Sequence, residues 1–373
     1  MSPPASQPAQ SPEPSIQLDQ QTSPQEQDSP RASTSVYDSD SDQDNMQGSV
    51  GHEDYDWDCL APNRVFVDAA NVLLPAAVAA QLGALAQFEP GAALLRPDEA
   101  AETVESLGEF RRSKRETVSS VQKYIFRKPA AVARYESLVI ANSPTVPAHL
   151  FPYLPGATFP VAQTRPTMLY GYGLGRLGGG GGGGGGGNST ETFNTAQRMA
   201  MFNLDIPNYS AVGGMVFPFL VIQFKSLQGA PFNLAIGAYQ CAGASAACLK
   251  AVEPLREVLA SSVGIHDEEP TREPALDVCY SIVLDNVQAY LDVAWKDKQA
   301  DGDDEDGGPV RTLRIKKLML NRPDGVVELH RHVLAILEWA YSEQPGGRLY
   351  AIHRALDCVA DGRYGMKLQA DER

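Results

Sequence analysis

Residues 217–225 read Phe-Pro-Phe-Leu-Val-Ile-Gln-Phe-Lys, and this segment is the strongest indication of the fold. It is an almost continuous run of apolar, β-branched and aromatic residues that ends in two polar positions, Gln223 and Lys225. Such a run is typical of a central strand that is buried on both faces of a sheet. Because side chains alternate along a strand with a period of two, Gln223 and Lys225 are predicted to lie on the same face at its end.

The segments that follow this strand also have clear patterns. Residues 233–261 carry small and apolar side chains at spacings of three and four, which predicts a long helix. Residues 277–284 and 287–295 predict an antiparallel hairpin, and residues 310–320 predict a further strand. Helices are predicted at 75–88, 97–126, 331–342 and 347–359. This order of elements predicts a mixed α/β fold in which helices flank a central mixed sheet.

The charge is uneven along the 373 residues, whose formal net charge is −15. Residues 1–60 contain twelve acidic residues and one basic residue, and they are rich in Pro, Ser and Gln. This composition predicts a disordered tail with phosphorylatable serines, followed by one domain over residues 61–373. The ten consecutive glycines at 178–187 and the acidic segment 299–308 are predicted to be a flexible insert and a loop within that domain.

Several classes of protein are excluded by composition. No run of 18 apolar residues is present, and the N-terminus lacks the basic and apolar regions of a secretory signal, so we expect an intracellular protein, cytoplasmic or nuclear, without membrane association. The five cysteines lack zinc-site spacing and are expected to be buried, reduced thiols. Two histidines, His330 and His332, are expected at the surface and do not make a zinc site by themselves.

Three segments carry a resemblance to a known family. They are Arg165-Pro-Thr-Met-Leu-Tyr-Gly-Tyr172, the strand Phe217–Ser226, and Gln240-Cys-Ala-Gly-Ala-Ser-Ala246 in the following helix. Together they resemble the PD-(D/E)XK nuclease-like superfamily, and more closely a fungal family of unknown function built on that core. The resemblance covers roughly residues 60–365 and implies a restriction-endonuclease-like fold, with Gln223, Lys225 and Gln240 at the catalytic positions.

The resemblance also implies a metal site from which this sequence departs. In the superfamily, an Asp after Pro begins one strand and a Glu or Asp two residues before Lys ends the next, and the two carboxylates hold magnesium. The metal and the lysine then activate water for attack on a phosphodiester. Here the two acidic positions are Thr167 and Gln223. We therefore expect impaired catalysis and no cofactor, with magnesium as the ion if activity survives.

Other acidic residues are candidates for replacing the missing carboxylates. Asp205 lies eighteen residues before Gln223 and is the first candidate metal ligand beside Gln223 itself, although a turn or cap is its simpler interpretation. Glu99, Glu102 and Glu105 on an early predicted helix are further candidates, but their spacing also suits a solvated helix face.

Three hypotheses for the function follow. The first is a catalytically impaired nuclease-like domain that binds nucleic acid through Arg165, Arg176, Lys225 and the basic cluster at residues 111–115. The second is an active magnesium-dependent nuclease that uses Asp205 or an early-helix glutamate. The third is a non-catalytic interaction scaffold whose phosphorylatable tail binds protein partners. Outside residues 1–60 and the acidic run at 301–306, the formal charge is close to neutral, so the folded part lacks the marked basic surface of strong nucleic-acid binders. The first and third hypotheses therefore have similar support.

Overall fold

The computed structural model describes most of the chain from Cys59 onward, namely residues 59–67, 73–90, 94–108, 114–126, 135, 137–174, 192–209, 214–225, 233–262, 274–297 and 308–362. The predicted polyglycine insert and all but the last residue of the acidic loop lie outside these residues, as does the predicted tail up to residue 58. Cys59 and Leu60, which the prediction included in the tail, are instead buried. Apolar packing therefore begins directly after the acidic segment.

The mixed α/β prediction is confirmed. Seven strands form one sheet in the described part of the chain: β1 (Val65–Val67), β2 (Leu138–Asn142), β3 (Met168–Gly173), β4 (Met215–Phe224), β5 (Val278–Leu284), β6 (Gln288–Lys296) and β7 (Val310–Met319). Their order across the sheet is β1-β7-β6-β5-β4-β3-β2. The pairs β1–β7 and β4–β5 are parallel, whereas all other neighbours are antiparallel.

Eight α-helices accompany the sheet within the same described ranges. They are α1 (Ala76–Gln87), α2 (Pro97–Gly108), α3 (Lys114–Tyr124), α4 (Thr195–Asn203), α5 (Asn233–Lys250), α6 (Glu253–Ser262), α7 (Pro323–Tyr341) and α8 (Arg348–Ala360). None of the helices in these ranges has the length and apolar character needed to cross a bilayer.

The sheet separates two apolar layers. On one face, α5 packs over β4 and β5, and its small side chains share a core with Leu169, Val221 and Val283. On the other face, α2, α3, α7 and α8 share a core with Tyr170, Tyr172 and Trp295. Strand β4 is therefore buried on both sides along its whole length, as its apolar run predicts.

One predicted helix is divided in the structure. The segment predicted as one helix over 233–261 ends at Lys250 and restarts at Glu253, because Pro254 cannot continue a helix but is well suited to a first turn. The segment predicted over 97–126 contains α2 and α3, and residues 109–113 between them lie outside the described residues.

The expectation of surface histidines is wrong. His330 and His332 both lie within α7 and are buried. The Nδ1 atom of His330 accepts a hydrogen bond from the Leu95 N–H at 3.1 Å, which ties the segment before α2 to α7. Burial lowers the pKa of His332, so its neutral form is favoured. The five cysteines, in contrast, are buried free thiols as expected.

A buried arginine joins α8 to the sheet. Arg348 is fully buried, and its guanidinium donates to the carbonyl oxygens of Ala275 at 2.9 Å, Val278 at 3.0 Å and Pro218 at 3.2 Å. It also lies 5.6 Å from the ring centroid of Trp339. Burial lowers the pKa of this guanidinium. Arg348 thus satisfies main-chain acceptors on two neighbouring strand segments at once.

Candidate functional site

The end of β4 carries the polar positions that the sequence singles out. Gln223 pairs in register with Val283 of β5, and the main-chain N–H of Lys225 donates to Leu284 at 2.8 Å. Gln223 and Lys225 are 2% and 7% exposed. Atoms of Lys225 and Val283 both lie beside Gly237 of α5, so these residues share the face of the sheet that α5 covers.

Thr167 and Gln223, the two positions at which the resemblance implies carboxylates, are in direct contact. Thr167 lies just before β3, which is antiparallel to β4, and its N–H donates to Oε1 of Gln223 at 3.2 Å. In return, the N–H of Phe224 donates to Oγ1 of Thr167 at 3.0 Å. The side-chain oxygens of both residues therefore serve as acceptors that fasten the start of β3 to the end of β4.

Gln240 projects from α5 beside the same segment. The hydroxyl of Thr164 donates to the main-chain oxygen of Gln240 at 3.3 Å, which links α5 to the chain just before β3. The Gln240 side chain is buried, and its Oε1 atom has no hydrogen-bond partner among the described residues. A buried acceptor of this kind has a cost in free energy unless a donor reaches it.

This arrangement does not suit a magnesium ion. Magnesium requires oxygen ligands and is usually held by at least one carboxylate, whereas Thr167 and Gln223 offer only neutral oxygens. Both oxygens already accept main-chain N–H groups. Within the ranges that the structure describes, no group of three or more His, Cys, Asp or Glu side chains is arranged to hold a metal ion.

The alternative acidic candidates lie in a turn and in the opposite layer of the fold. Asp205 has a φ of 57° in the turn after α4, and its carboxylate accepts the side-chain amide of Asn208 at 2.8 Å. This is the turn role that its residue type favours. Glu99, Glu102 and Glu105 belong to α2, which packs on α7 in the layer across the sheet from Gln223.

The structure describes one of the two arginines that are predicted to contact nucleic acid. Arg165 is exposed and lies between Thr164 and Thr167, which both contact the site. Arg176 lies outside the described residues. Of the predicted group, Gln223 and Lys225 lie at the end of β4, Gln240 lies on α5, and Arg165 lies in the segment whose Thr164 and Thr167 contact Gln240 and Gln223.

One buried acidic residue near the site was not predicted from the sequence. Asp292 of β6 pairs with Ser281 of β5, is 1% exposed, and accepts the Nε–H of Arg314 at 3.1 Å. The signal was a single acidic residue within the otherwise apolar strand Tyr290–Trp295. Asp292 lies two strands from β4, which is roughly 10 Å at the usual strand spacing, and its carboxylate is engaged by Arg314.

The electrostatic influence of this residue reaches α5. Burial raises the pKa of the Cys241 thiol well above its ordinary value. The negative charge of Asp292 acts in the same direction, and the positive charge of Lys225 opposes it. Cys241 therefore remains a protonated thiol, and it behaves as a packing residue between two charged side chains.

Comparison with known proteins identifies one domain. Residues 186–355 match a family model described as a domain of unknown function, DUF7924. This DUF7924 region extends from just before α4 into α8 and contains Gln223, Lys225, Gln240 and Asp292, whereas Arg165 and Thr167 precede it. No curated protein matches the sequence.

Gly237 allows α5 to approach Lys225 closely, and this leads to a stability prediction. A Cβ atom at Gly237 would lie 2.6 Å from Cγ1 of Val283 and 3.2 Å from Cγ of Lys225. We expect Gly237→Ala to lower the free energy of unfolding by about 1–3 kcal/mol, because overpacking forces neighbouring side chains to move. Urea unfolding followed by circular dichroism measures this change.

The matched control is Gly83→Ala in α1, where an added Cβ has no atom within 4 Å. There we expect a gain of roughly 0.5–1 kcal/mol, because alanine is the better helix former. If the two substitutions gave the same change, α5 would not be packed against Lys225 as the structure has it.

Proposed function

We propose that the chain is a nuclease-like domain that binds nucleic acid without magnesium-dependent hydrolysis. The observation that carries this proposal is the contact between Thr167 and Gln223, which brings together the two positions where the superfamily has its metal-binding carboxylates. Lys225 follows at the spacing of the motif. The resemblance predicts a site at these residues, and the contact between Thr167 and Gln223 supports that prediction.

The chemistry of these side chains argues against hydrolysis. Phosphodiester hydrolysis in this superfamily needs a metal ion to neutralise charge and activate water. Neutral oxygens that already accept main-chain N–H groups at 3.2 and 3.0 Å are poor ligands for an ion that gives up its water reluctantly. We infer that the geometry of the fold is retained while metal binding is lost.

Binding of a polyanion is supported by the cations at the same place. Arg165 is exposed two residues before Thr167, and Lys225 adds a second positive charge at the end of β4. A guanidinium at an exposed position is well suited to a phosphate, which it can contact through two parallel hydrogen bonds. Magnesium-independent binding of phosphate is the role that these residues support best.

The other hypotheses have less support. Asp205 contacts Asn208 in an exposed turn, and the glutamates of α2 belong to the opposite layer, so neither supplies a carboxylate beside Gln223. The scaffold hypothesis depends on the acidic tail, most of which lies outside the described residues. It would gain support if the protein bound no nucleic acid.

Substitution of Arg165 tests the proposal. We expect Arg165→Ala to weaken binding of a labelled 20-nucleotide strand or duplex. The slope of log affinity against log salt should become shallower by about 1, as for the loss of one phosphate contact. Fluorescence anisotropy between 50 and 200 mM salt, without magnesium, measures both quantities.

The control for this experiment is Arg322→Ala, which removes an exposed arginine just before α7. It changes the net charge equally but should leave the affinity and the salt slope close to those of the native protein. Equal effects of the two substitutions would mean that binding is diffuse, and absence of binding by the native protein would refute the proposed function.

A further inference from the structure

The loop that precedes the site is closed and held in a defined shape. The N–H of Val161 donates to the oxygen of Pro152 at 3.3 Å, and the N–H of Ala157 donates to Leu154 at 3.1 Å. At the base of the loop, Phe151 and Val161 are buried in the core beneath α5. Residues 152–161 therefore form a compact projection rather than a loose connection.

A single buried side chain anchors this loop from inside. Asn63 is 3% exposed; its Oδ1 accepts the N–H of Leu154 at 2.9 Å, and its Nδ2 donates to the oxygen of Phe159 at 2.7 Å. A second bond from Nδ2 reaches the oxygen of Cys59 at 2.6 Å. One carboxamide thus holds both arms of the loop at fixed positions.

The loop presents two aromatic rings to solvent. Tyr153 and Phe159 are 61% and 46% exposed. Their main chain is nevertheless fixed, because Asn63 bonds to Leu154, which follows Tyr153, and to the oxygen of Phe159 itself. Aromatic rings exposed on a rigid support offer flat faces on which a ligand can stack. A preorganised pair of rings loses little conformational entropy when a ligand stacks on it.

The segment that contains this loop has no acidic residue between Glu136 and Glu191, although the chain as a whole has 46. The only Lys or Arg residues in this stretch are Arg165 and Arg176, of which Arg165 is exposed six residues after Phe159. Six residues span at most about 20 Å, so one short strand can reach from Phe159 to Arg165.

We propose that Tyr153 and Phe159 form a stacking surface for the bases of single-stranded nucleic acid, and that Arg165 binds a phosphate of the same strand. The inference rests on the nucleic-acid binding proposed above and adds the class of ligand. Bases of any identity stack on aromatic rings, whereas in a duplex their faces are covered by neighbouring bases. The surface therefore prefers unpaired DNA or RNA and has little sequence preference.

Affinity measurements on single strands and duplexes of the same sequence test this inference. We expect Tyr153→Ala and Phe159→Ala each to weaken single-strand binding by about tenfold, as for the loss of one stacked base. Duplex affinity should not change, and Tyr153→Phe should keep native affinity because the ring remains. In a Tyr153→Trp variant, we expect single strands to quench the new tryptophan emission.

The matched control is Phe202→Ala on α4, where the ring is 43% exposed but lies outside the acid-free segment. Loss of affinity in this variant equal to that in the loop variants would overturn the inference. Unchanged single-strand affinity in Tyr153→Ala and Phe159→Ala, with Arg165→Ala still weakening binding, would overturn it while leaving the proposed function intact. If the native protein bound neither form, both proposals would fall.

Discussion

Replacing Arg348 by methionine is expected to cause the largest loss of stability of any single substitution considered for this protein. The change would remove the donors to three buried carbonyl oxygens, those of Ala275, Val278 and Pro218. An unsatisfied buried polar group costs about 1–3 kcal/mol, so we expect a loss of roughly 3–6 kcal/mol. Because whole domains are stable by only about 5–15 kcal/mol, this loss is a large part of the total.

Methionine fills a similar volume, so the experiment separates hydrogen bonding from packing. We expect Arg348→Lys to be intermediate, because an ammonium keeps the charge but lacks the planar fork that reaches several acceptors. The control is the exposed Arg322→Ala, which should change the free energy of unfolding by less than about 0.5 kcal/mol. A loss of under about 1 kcal/mol for Arg348→Met, measured by urea unfolding, would show that these carbonyls find other partners.

The strands were the most predictable part of the fold. The run predicted at 217–225 became β4 at Met215–Phe224, and the predicted hairpin became β5 and β6. In each case an apolar pattern extends over the whole strand, so the strand is buried wherever it pairs. The helix over 233–261 was predicted less well because its apolar spacing continues past Pro254, where the main chain turns into the other layer.

The contacts that shape the site were beyond prediction because they join distant parts of the chain. The period of two placed Gln223 and Lys225 on one face, but the bond from Thr167 spans 56 residues and that from Leu154 to Asn63 spans 91. No local pattern in the sequence encodes such pairs. Arg348 illustrates the same limit, since nothing in its neighbourhood distinguishes it from a solvent-exposed arginine at the start of a helix.

Placing carboxylates at positions 167 and 223 is expected to create a magnesium site. In the double substitution Thr167→Asp with Gln223→Glu, a carboxylate oxygen can accept each main-chain N–H that Thr167 and Gln223 now accept. A second oxygen of each carboxylate then remains for the metal, and two anionic ligands suit magnesium. At a magnesium concentration about 100 times the dissociation constant, binding should stabilise the variant by about 2.7 kcal/mol.

Thermal melting with and without magnesium measures this gain. We expect a magnesium-dependent rise for the double variant and no rise for the native protein or for either single variant. The double variant carrying Asp205→Asn should keep the rise, because Asp205 is engaged by Asn208 in its own turn. Loss of the rise in that variant would instead make Asp205 a ligand.

Cleavage of plasmid and single-stranded substrates provides the second measurement. We expect the native protein to show no magnesium-dependent cleavage above that of its Lys225→Ala variant. If the restored site becomes active, Lys225→Ala should reduce its rate by roughly 10²-fold or more, the typical effect of removing one charge-stabilising group. Native protein that cut these substrates with magnesium, and lost this activity on Lys225→Ala, would be an active nuclease. The neutral pair Thr167 and Gln223 would then have to function with a carboxylate from elsewhere in the chain.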